Sequence, residues 1–334
     1  MNISVENNSL KEFYSKVYTY ASLAALPLAV TGLIANLFLF YILLTDNFFR
    51  KVTYYLILAS VISDIISTIV SIIVYTHVAG FTLDYILGSV LCKGVFFVAQ
   101  SSYGISMMNL CLIATDRYFA IVRPLTRFYR IYKKRILISA EIMIWLLSLT
   151  VTSPKLIFMK VQRENTMMCE HDTITNWIAS YLIAFIVIIY VIPSSIIALI
   201  YWQIVVHQKN YTQPGQCIGS ESTEGKIQKR KFIRSLISIN LSYILTTWPY
   251  FATLFGFAIT RDSFIAVRNR SLAAFLLAFF SFSTTTSITI LNPFIYFKFD
   301  ANVRKSAKKV IKRLSLGLQE TSSIVIQVEE LPRS

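Results

Sequence analysis

Charge is scarce in this sequence. Asp, Glu, Lys and Arg make up 15% of its 334 residues, against roughly 25% in soluble domains, while 55% is hydrophobic and the mean hydropathy is +0.59. That excludes most soluble folds. Ten Gly and eight Pro are too few for a collagenous or low-complexity chain, and 24 Phe with 19 Tyr argue against disorder. Four Cys cannot build a disulfide scaffold. The three His (His77, His171 and His207) are scattered without metal-ligand spacing, and no phosphate-binding glycine loop appears, so an enzyme is not expected.

Long apolar runs are abundant: Ala21 to Thr45, Val52 to Leu83, Gly94 to Thr115, Ile136 to Pro154, Thr173 to Val206, Ser235 to Thr260 and Ser271 to Phe297. Each reaches about the 20 residues that cross a bilayer, where the backbone must be helical to satisfy its own hydrogen bonds. Acidic or basic residues within the runs are limited to Asp64 and Glu141. The net charge of +15 sits between the runs, which points to loops facing an anionic leaflet rather than to nucleic acid. Alternate loops carry 23 and 9 Lys and Arg, with the richer set on the C-terminal side. The positive-inside rule then puts the N-terminus outside and the C-terminus in the cytoplasm. The first 20 residues have no basic stretch followed by an apolar core, so the first span is expected to act as a signal anchor. Asn2 and Asn7 lie in glycosylation sequons on this outer tail.

After the seventh run, Val303, Ala307, Val310, Ile311 and Leu314 fall on one helical face amid Lys and Arg, as in an amphipathic helix on the inner leaflet. The expected fold is therefore an all-α membrane protein: a seven-transmembrane helix bundle with a short amphipathic eighth helix on the cytoplasmic face. Its expected parts are an outer tail (1–20), the bundle (21–297), the amphipathic helix (298–316) and a cytoplasmic tail (317–334).

A charge in a span costs about 2.5 to 3.5 kcal/mol on insertion scales, so Asp64 calls for a role, with Ser106 and Asn292 as oxygen partners for a cation. Glu141, six residues past Arg135, is placed to reach the inner headgroups or basic residues. Asp116-Arg117-Tyr118 ends the third span, where a carboxylate and a guanidinium can form a releasable pair. Cys92 opens that span on the outer side and Cys169 lies in the next outer loop; a disulfide would staple the loop over the bundle, and two free thiols are the alternative. Pro193, Pro249 and Asn292-Pro293 mark bends in the last three spans.

Together these residues resemble the rhodopsin-like family of G-protein-coupled receptors, including its neuropeptide receptors, over about Leu33 to Leu314. Asn36, Asp64, Trp145, the Pro193/Tyr201 pair, Pro249-Tyr250 and Asn292-Pro293-Phe294-Ile295-Tyr296 match the family's span-by-span signature residues. The resemblance implies a Cys92–Cys169 bridge and an activation switch of Asp116, Arg117, Tyr118, Tyr201, Pro249, Asn292, Pro293 and Tyr296. It also implies an allosteric sodium site at Asp64, Ser106 and Asn292, with no other cofactor. A plasma-membrane receptor of this kind takes an extracellular ligand and activates a heterotrimeric G protein, with arrestin and membrane lipids as further partners.

Some positions depart from the family pattern. Thr247 takes the usual place of the sixth-span Trp, Lys229 that of an acid which locks the switch Arg, and Ile288 that of an Asn near the sodium site. Ala99 stands where amine receptors carry Asp, and Thr286 where opsins carry Lys, which excludes those ligand classes. The remaining pocket set is Tyr75, His77, Gln100, Tyr103, Phe185, Tyr250, Phe251, Leu254 and Phe282. This aromatic, mostly neutral set suits a peptide end, a neutral small molecule or a lipid, and the charges of the outer loops favour a peptide. The rival reading is a seven-helix transporter or channel using Asp64 as its ion site.

Overall fold

The computed structural model describes residues 2–80, 84–123, 127–162, 165–171, 173–210, 223–313 and 315. Its long helices are α1 (Asn2–Thr45), α2 (Val52–Gly80), α3 (Tyr85–Ile121) and α4 (Arg127–Thr152). A four-residue helix α5 (Lys155–Phe158) and a hairpin of β1 (Met159–Gln162) and β2 (Asn165–His171) follow. The chain continues through α6 (Asn176–Ile186), a π-turn (Val187–Val191), α7 (Ile192–Asn210), α8 (Thr223–Thr260), α9 (Phe264–Arg270) and α10 (Leu272–Phe299). Residues 301–313 are again helical.

Among the described residues, five segments are long and apolar enough to cross a membrane: Lys16–Thr45, Thr53–Ala79, Tyr85–Ile121, Ile131–Phe158 and Asn176–Gln208. Leu272–Thr284 and Ser287–Phe299, bent by 47° against each other, make a broken further one. The remaining run lies in α8, where Asn240, Ser242, Thr246 and Thr247 dilute its hydropathy. The polarity of the bundle is inverted relative to a water-soluble core. Asp64, Asn109 and Asn292 are inside, while Leu28, Leu146, Ile157, Trp202 and Leu277 face out. Lipid tolerates such a surface; water does not.

Helix α1 runs unbroken from Asn2 through the outer segment into the first span instead of starting near Ala21. Helix α3 extends both ways beyond its apolar run, so that Asp116, Arg117 and Tyr118 lie in its last turns. The fifth run is divided by the π-turn. Pro193 cannot donate to the Ile189 carbonyl, and a widened turn just before it accommodates the ring.

Proline leaves a similar gap in α10, and α1 fills it. Pro293 has no N–H for the Thr289 carbonyl; the Asn36 amide donates to that oxygen at 2.9 Å and to the Gly32 carbonyl at 3.0 Å. The two helices meet closely there. A Cβ on Gly32 would lie 2.7 Å from the Ile290 side chain and 2.9 Å from its Cα, so the contact requires glycine.

The helix 301–313 is fastened at the end of the bundle opposite the hairpin, the end expected to face inward. The Asp300 carboxylate accepts the N–H groups of Asn302 and Val303 at 2.8 and 3.3 Å, which caps its start. Burial raises the Asp300 carboxyl above its usual range. Tyr54 of α2 donates to the same carboxylate at 3.3 Å. Val303 and Ala307 are buried against the bundle, whereas Ile311 is exposed and Leu314 lies outside the described residues.

Candidate functional site

The outer end is organised by the Cys92–Cys169 disulfide, which ties β2 to the start of α3 with the Cα atoms 5.5 Å apart. Val161 pairs with Cys169 across the hairpin, and Met159 and Val161 pack with Cys92 and Phe96. Beneath this staple lies a cavity of about 230 Å³. Its walls include Tyr75 of α2, Phe96 and Gln100 of α3, Met159 and Cys169 of the hairpin, Tyr250, Leu254 and Phe257 of α8, and Phe282 of α10. A neighbouring cavity of about 460 Å³ lies between α1, α2 and α10 and shares Tyr18, Val74, Tyr75, Phe96, Cys169, Phe264, Phe279 and Ser283 with the first.

Of the residues expected around the cavity, Tyr75, Gln100, Tyr250, Leu254 and Phe282 line it. Tyr103, Phe185 and Phe251 form an aromatic layer that meets it through Tyr250: Phe251 lies 5.2 Å from Tyr103, 6.2 Å from Phe185 and 5.0 Å from Tyr250. His77 is buried in α2 and is not among the lining residues. Lys155, absent from the expected set, does line the cavity.

Tyr103 continues the path inward, donating to the Thr247 hydroxyl at 3.2 Å and stacking on Tyr243 at 5.4 Å. Thr247 is fully buried, whereas its neighbour Trp248 is 51% exposed. The indole thus faces lipid and a hydroxyl occupies the bundle centre.

One level deeper, Asp64 is fully buried and accepts from Ser106 at 3.2 Å and from the Asn292 amide at 2.7 Å. The carboxylate, hydroxyl and amide of these three side chains are the donor types that would hold a sodium ion, and here they bond to one another; Ile288 adds no ligand atom. Among the described residues there is no cluster of three His, Cys, Asp or Glu side chains fit for a metal.

Glu141 differs from expectation. Its carboxylate is turned inward, accepting from Asn109 at 3.1 Å and from the Trp145 indole at 2.9 Å. Asn109 also donates to Ser60 at 3.2 Å, so this acid ties α4 to α3 and α2 instead of reaching headgroups. The partners outweigh the headgroups because a carboxylate held by two N–H donors needs no snorkelling.

At the inner end Asp116 is fully buried and pairs with Arg117 at 3.1 Å and with Lys133 of α4 at 2.5 Å, and accepts from Thr53 at 3.2 Å. Arg117 also donates to Thr53. Tyr118 is partly buried and packs edge-on against Phe119. Tyr201 accepts from the Asn240 amide at 3.1 Å, which joins α7 to α8, and Tyr296 is buried nearby on α10. The side chains of Asn2, Asn7 and Lys229 lie outside those described.

This stack of outer cavity, aromatic layer, buried carboxylate and inner ion pair coincides with a match of residues 35–296 to the family of 7 transmembrane receptors (rhodopsin family). The chain belongs to this family. It is therefore a multi-pass plasma-membrane receptor and not an enzyme, and the transporter or channel reading of Asp64 is set aside. The receptor is 27% identical over 176 residues to a QRFP-like peptide receptor of Branchiostoma floridae, covering 50% of this chain and 46% of that one. It is 25% identical over 303 residues to somatostatin receptor type 5 of Rattus norvegicus, covering 90% and 80%. A tachykinin-like peptides receptor of Drosophila melanogaster, 99D, is 25% identical over 296 residues, covering 83% and 54%. The receptor thus spans about half the length of two of these relatives.

Proposed function

We propose that the receptor binds a peptide at its outer cavity and activates a heterotrimeric G protein from its inner face, with the N-terminus outside. The observation that carries this reading is the continuous path from Tyr250 and Phe251 through Tyr103, Tyr243 and Ser106 to Asp64 and Asn292. A ligand that reshapes the cavity alters the aromatic layer, and that layer packs against α8, the helix tied to Tyr201 at its inner end. The ligand need only favour the active arrangement; moving a population from 1:99 to 99:1 takes about 5.5 kcal/mol of differential binding. Arg117 then exchanges Asp116 and Thr53 for a partner at the opened inner end. The names of the relatives favour a peptide over a lipid or a neutral small molecule.

The test is G-protein dissociation in cells displaying the receptor, screened with peptide, lipid and neutral small-molecule pools beside an Arg117→Ala control. A peptide response lost in the control, with ligand binding retained, supports the reading. Arginine replacement that leaves the response intact refutes the switch role.

A further inference from the structure

The cavity contains one basic group that the aromatic character of its walls does not explain. Lys155 is 1% exposed and lines the cavity directly. Its position is fixed by the end of α4. Ser101 and Thr152 share a hydrogen bond of 2.7 Å, Tyr181 donates to the Val151 carbonyl at 3.0 Å, and Pro154 caps α5, whose first residue is Lys155.

The ammonium group donates to the Tyr250 hydroxyl at 3.3 Å and sits 4.2 Å from the centre of the Phe185 ring. Among the described residues no carboxylate pairs with it. An ammonium carries three donors, and ring faces compensate a buried cation only in part. A buried charge without an opposite charge is costly, so its retention at a cavity wall points to a counter-charge brought from outside.

A second unsatisfied group lies in the same cavity. Gln100 is 3% exposed, and its Oε1 has no hydrogen-bond partner. Its side chain also hydrogen-bonds with Tyr250, whose hydroxyl accepts from Lys155. The site therefore offers a cation and a hydroxyl with an unpartnered amide oxygen beside them, and Leu254, Phe257 and Phe282 complete an apolar wall.

We infer that Lys155, Tyr250 and Gln100 form a subsite for a peptide carboxylate: the acid sits on Lys155 and the Tyr250 hydroxyl, and a backbone N–H of the same residue donates to Gln100 Oε1. A carboxylate and an amide N–H a few atoms apart are what a C-terminal residue, or an Asp or Glu within a peptide, presents. At about 230 Å³ the cavity is smaller than the roughly 300 to 1,000 Å³ of drug-sized sites, so it admits the end of a peptide or one side chain and not the whole ligand. The inference rests on the peptide-receptor reading, and it narrows that reading from a neutral to an anionic ligand group.

The test uses binding, not signalling. The full chain is purified in detergent, and its thermal midpoint is followed against matched probe pairs: N-acetylphenylalanine and its amide, N-acetyl-glutamyl-phenylalaninamide and its glutaminyl counterpart, and decanoate with decanamide. The expected result is that the acid of at least one peptide pair binds tenfold or more tightly than its neutral partner. That preference should fall within twofold in Lys155→Met and persist in Lys155→Arg. The first pair reports a C-terminal carboxylate and the second a side-chain one. Equal binding of acids and amides, no binding by any acid, or a preference that survives Lys155→Met overturns the subsite. A preference confined to decanoate overturns the peptide assignment.

Without any probe, Lys155→Met should melt above wild type, because it deletes a buried amine that Tyr250 and Phe185 satisfy only in part; a lower midpoint means that the protein itself satisfies Lys155, and the inference fails. Acid binding with no G-protein response to any ligand would sink the receptor reading and leave the subsite standing. A peptide that signals with an affinity untouched by Lys155→Met would do the reverse.

Discussion

Lys133 Nζ stands 2.5 Å from Asp116 Oδ1, on the side of the carboxylate opposite Arg117. Asp116 is thus clamped between its neighbour in sequence and a lysine from α4. Lys133→Ala should weaken this clamp and leave Asp116 with Arg117 and Thr53. Lys133 is about one-third exposed, so solvent screening limits its contribution to about 1 kcal/mol, equivalent to roughly a fivefold shift in a two-state equilibrium. We expect ligand-independent G-protein dissociation to rise several-fold at matched surface display. Unchanged basal activity would mean that the pair plays no part in holding the resting arrangement.

Gly32 predicts a folding defect rather than a signalling one. An added methyl meets Ile290 backbone as well as side chain, and a backbone atom cannot swing aside. Gly32→Ala should cost about 1 to 3 kcal/mol, as overpacking does in well-packed cores. Reduced surface display and a lower thermal midpoint, with coupling per displayed receptor unchanged, are the expected readouts. Wild-type display would show that α1 and α10 can separate without penalty.

Hydropathy made the spans legible because lipid imposes one requirement on every crossing segment, and loop charge made the orientation an expectation for the same reason. Pairings were legible where neighbours in sequence make them, as with Asp116 and Arg117, or where the family resemblance implies them, as with Cys92 and Cys169 and with Asp64, Ser106 and Asn292. Lys155 was not legible. One residue past Pro154, it reads as an outer-loop charge, and only the return of α5 and the hairpin under the Cys92–Cys169 bridge turns it inward. Glu141 misled for a related reason: its distance from Arg135 along the helix gives its depth but not the side it faces, which Asn109 and Trp145 decide. For Asn36 the missing information was Pro293, 257 positions away in the chain, which leaves the Thr289 carbonyl that Asn36 serves.

The inner helix should respond to acid through Asp46. Ser306 donates to its carboxylate at 2.6 Å and the Phe48 N–H at 3.0 Å, and these bonds hold the Asp46 carboxyl below its usual range. A group with a depressed folded pKa contributes stability above its unfolded value, about 3.9, and loses it as pH falls through the folded value. The Asp46 contribution to the attachment of 301–313, followed by hydrogen exchange, should therefore stay constant from pH 7 to about 5 and fade only in stronger acid. Asp46→Asn should loosen the attachment at neutral pH. Loosening between pH 7 and 5 in the wild type would assign the pH response to another group.

Ser306 is buried in that same contact, whereas Ser315 is exposed. A kinase cannot reach a hydroxyl that is buried and donating to Asp46, and a phosphate placed there would face the Asp46 carboxylate. Phosphosite mapping on receptor from cells should find Ser315 modified in preference to Ser306. Ser306→Glu should release the helix as Asp46→Asn does. Substantial Ser306 phosphate on receptor with an undisturbed inner helix would contradict the docked arrangement.

The connection between the cavity and the inner network should run through Tyr103 and Thr247. The Tyr103 hydroxyl reaches Thr247 at 3.2 Å, its ring stacks on Tyr243, and the Tyr243 hydroxyl returns a bond to the Tyr103 carbonyl at 3.2 Å. Tyr103→Phe removes one donor and leaves Thr247 still bonded to the Tyr243 carbonyl at 2.8 Å, so a stability cost of about 1 kcal/mol is expected. Thr247→Val removes the acceptor and should cost a similar amount, but it leaves the Tyr103 hydroxyl buried and unpaired. If the hydrogen bond carries coupling between α3 and α8, the two substitutions will be non-additive in a double-mutant cycle on G-protein dissociation. The double variant should then behave much like either single one. Strict additivity would place the coupling elsewhere, for example in the Tyr243 hydroxyl bond to the Tyr103 carbonyl or in the contacts of the Tyr103 ring with Tyr243 and Phe251.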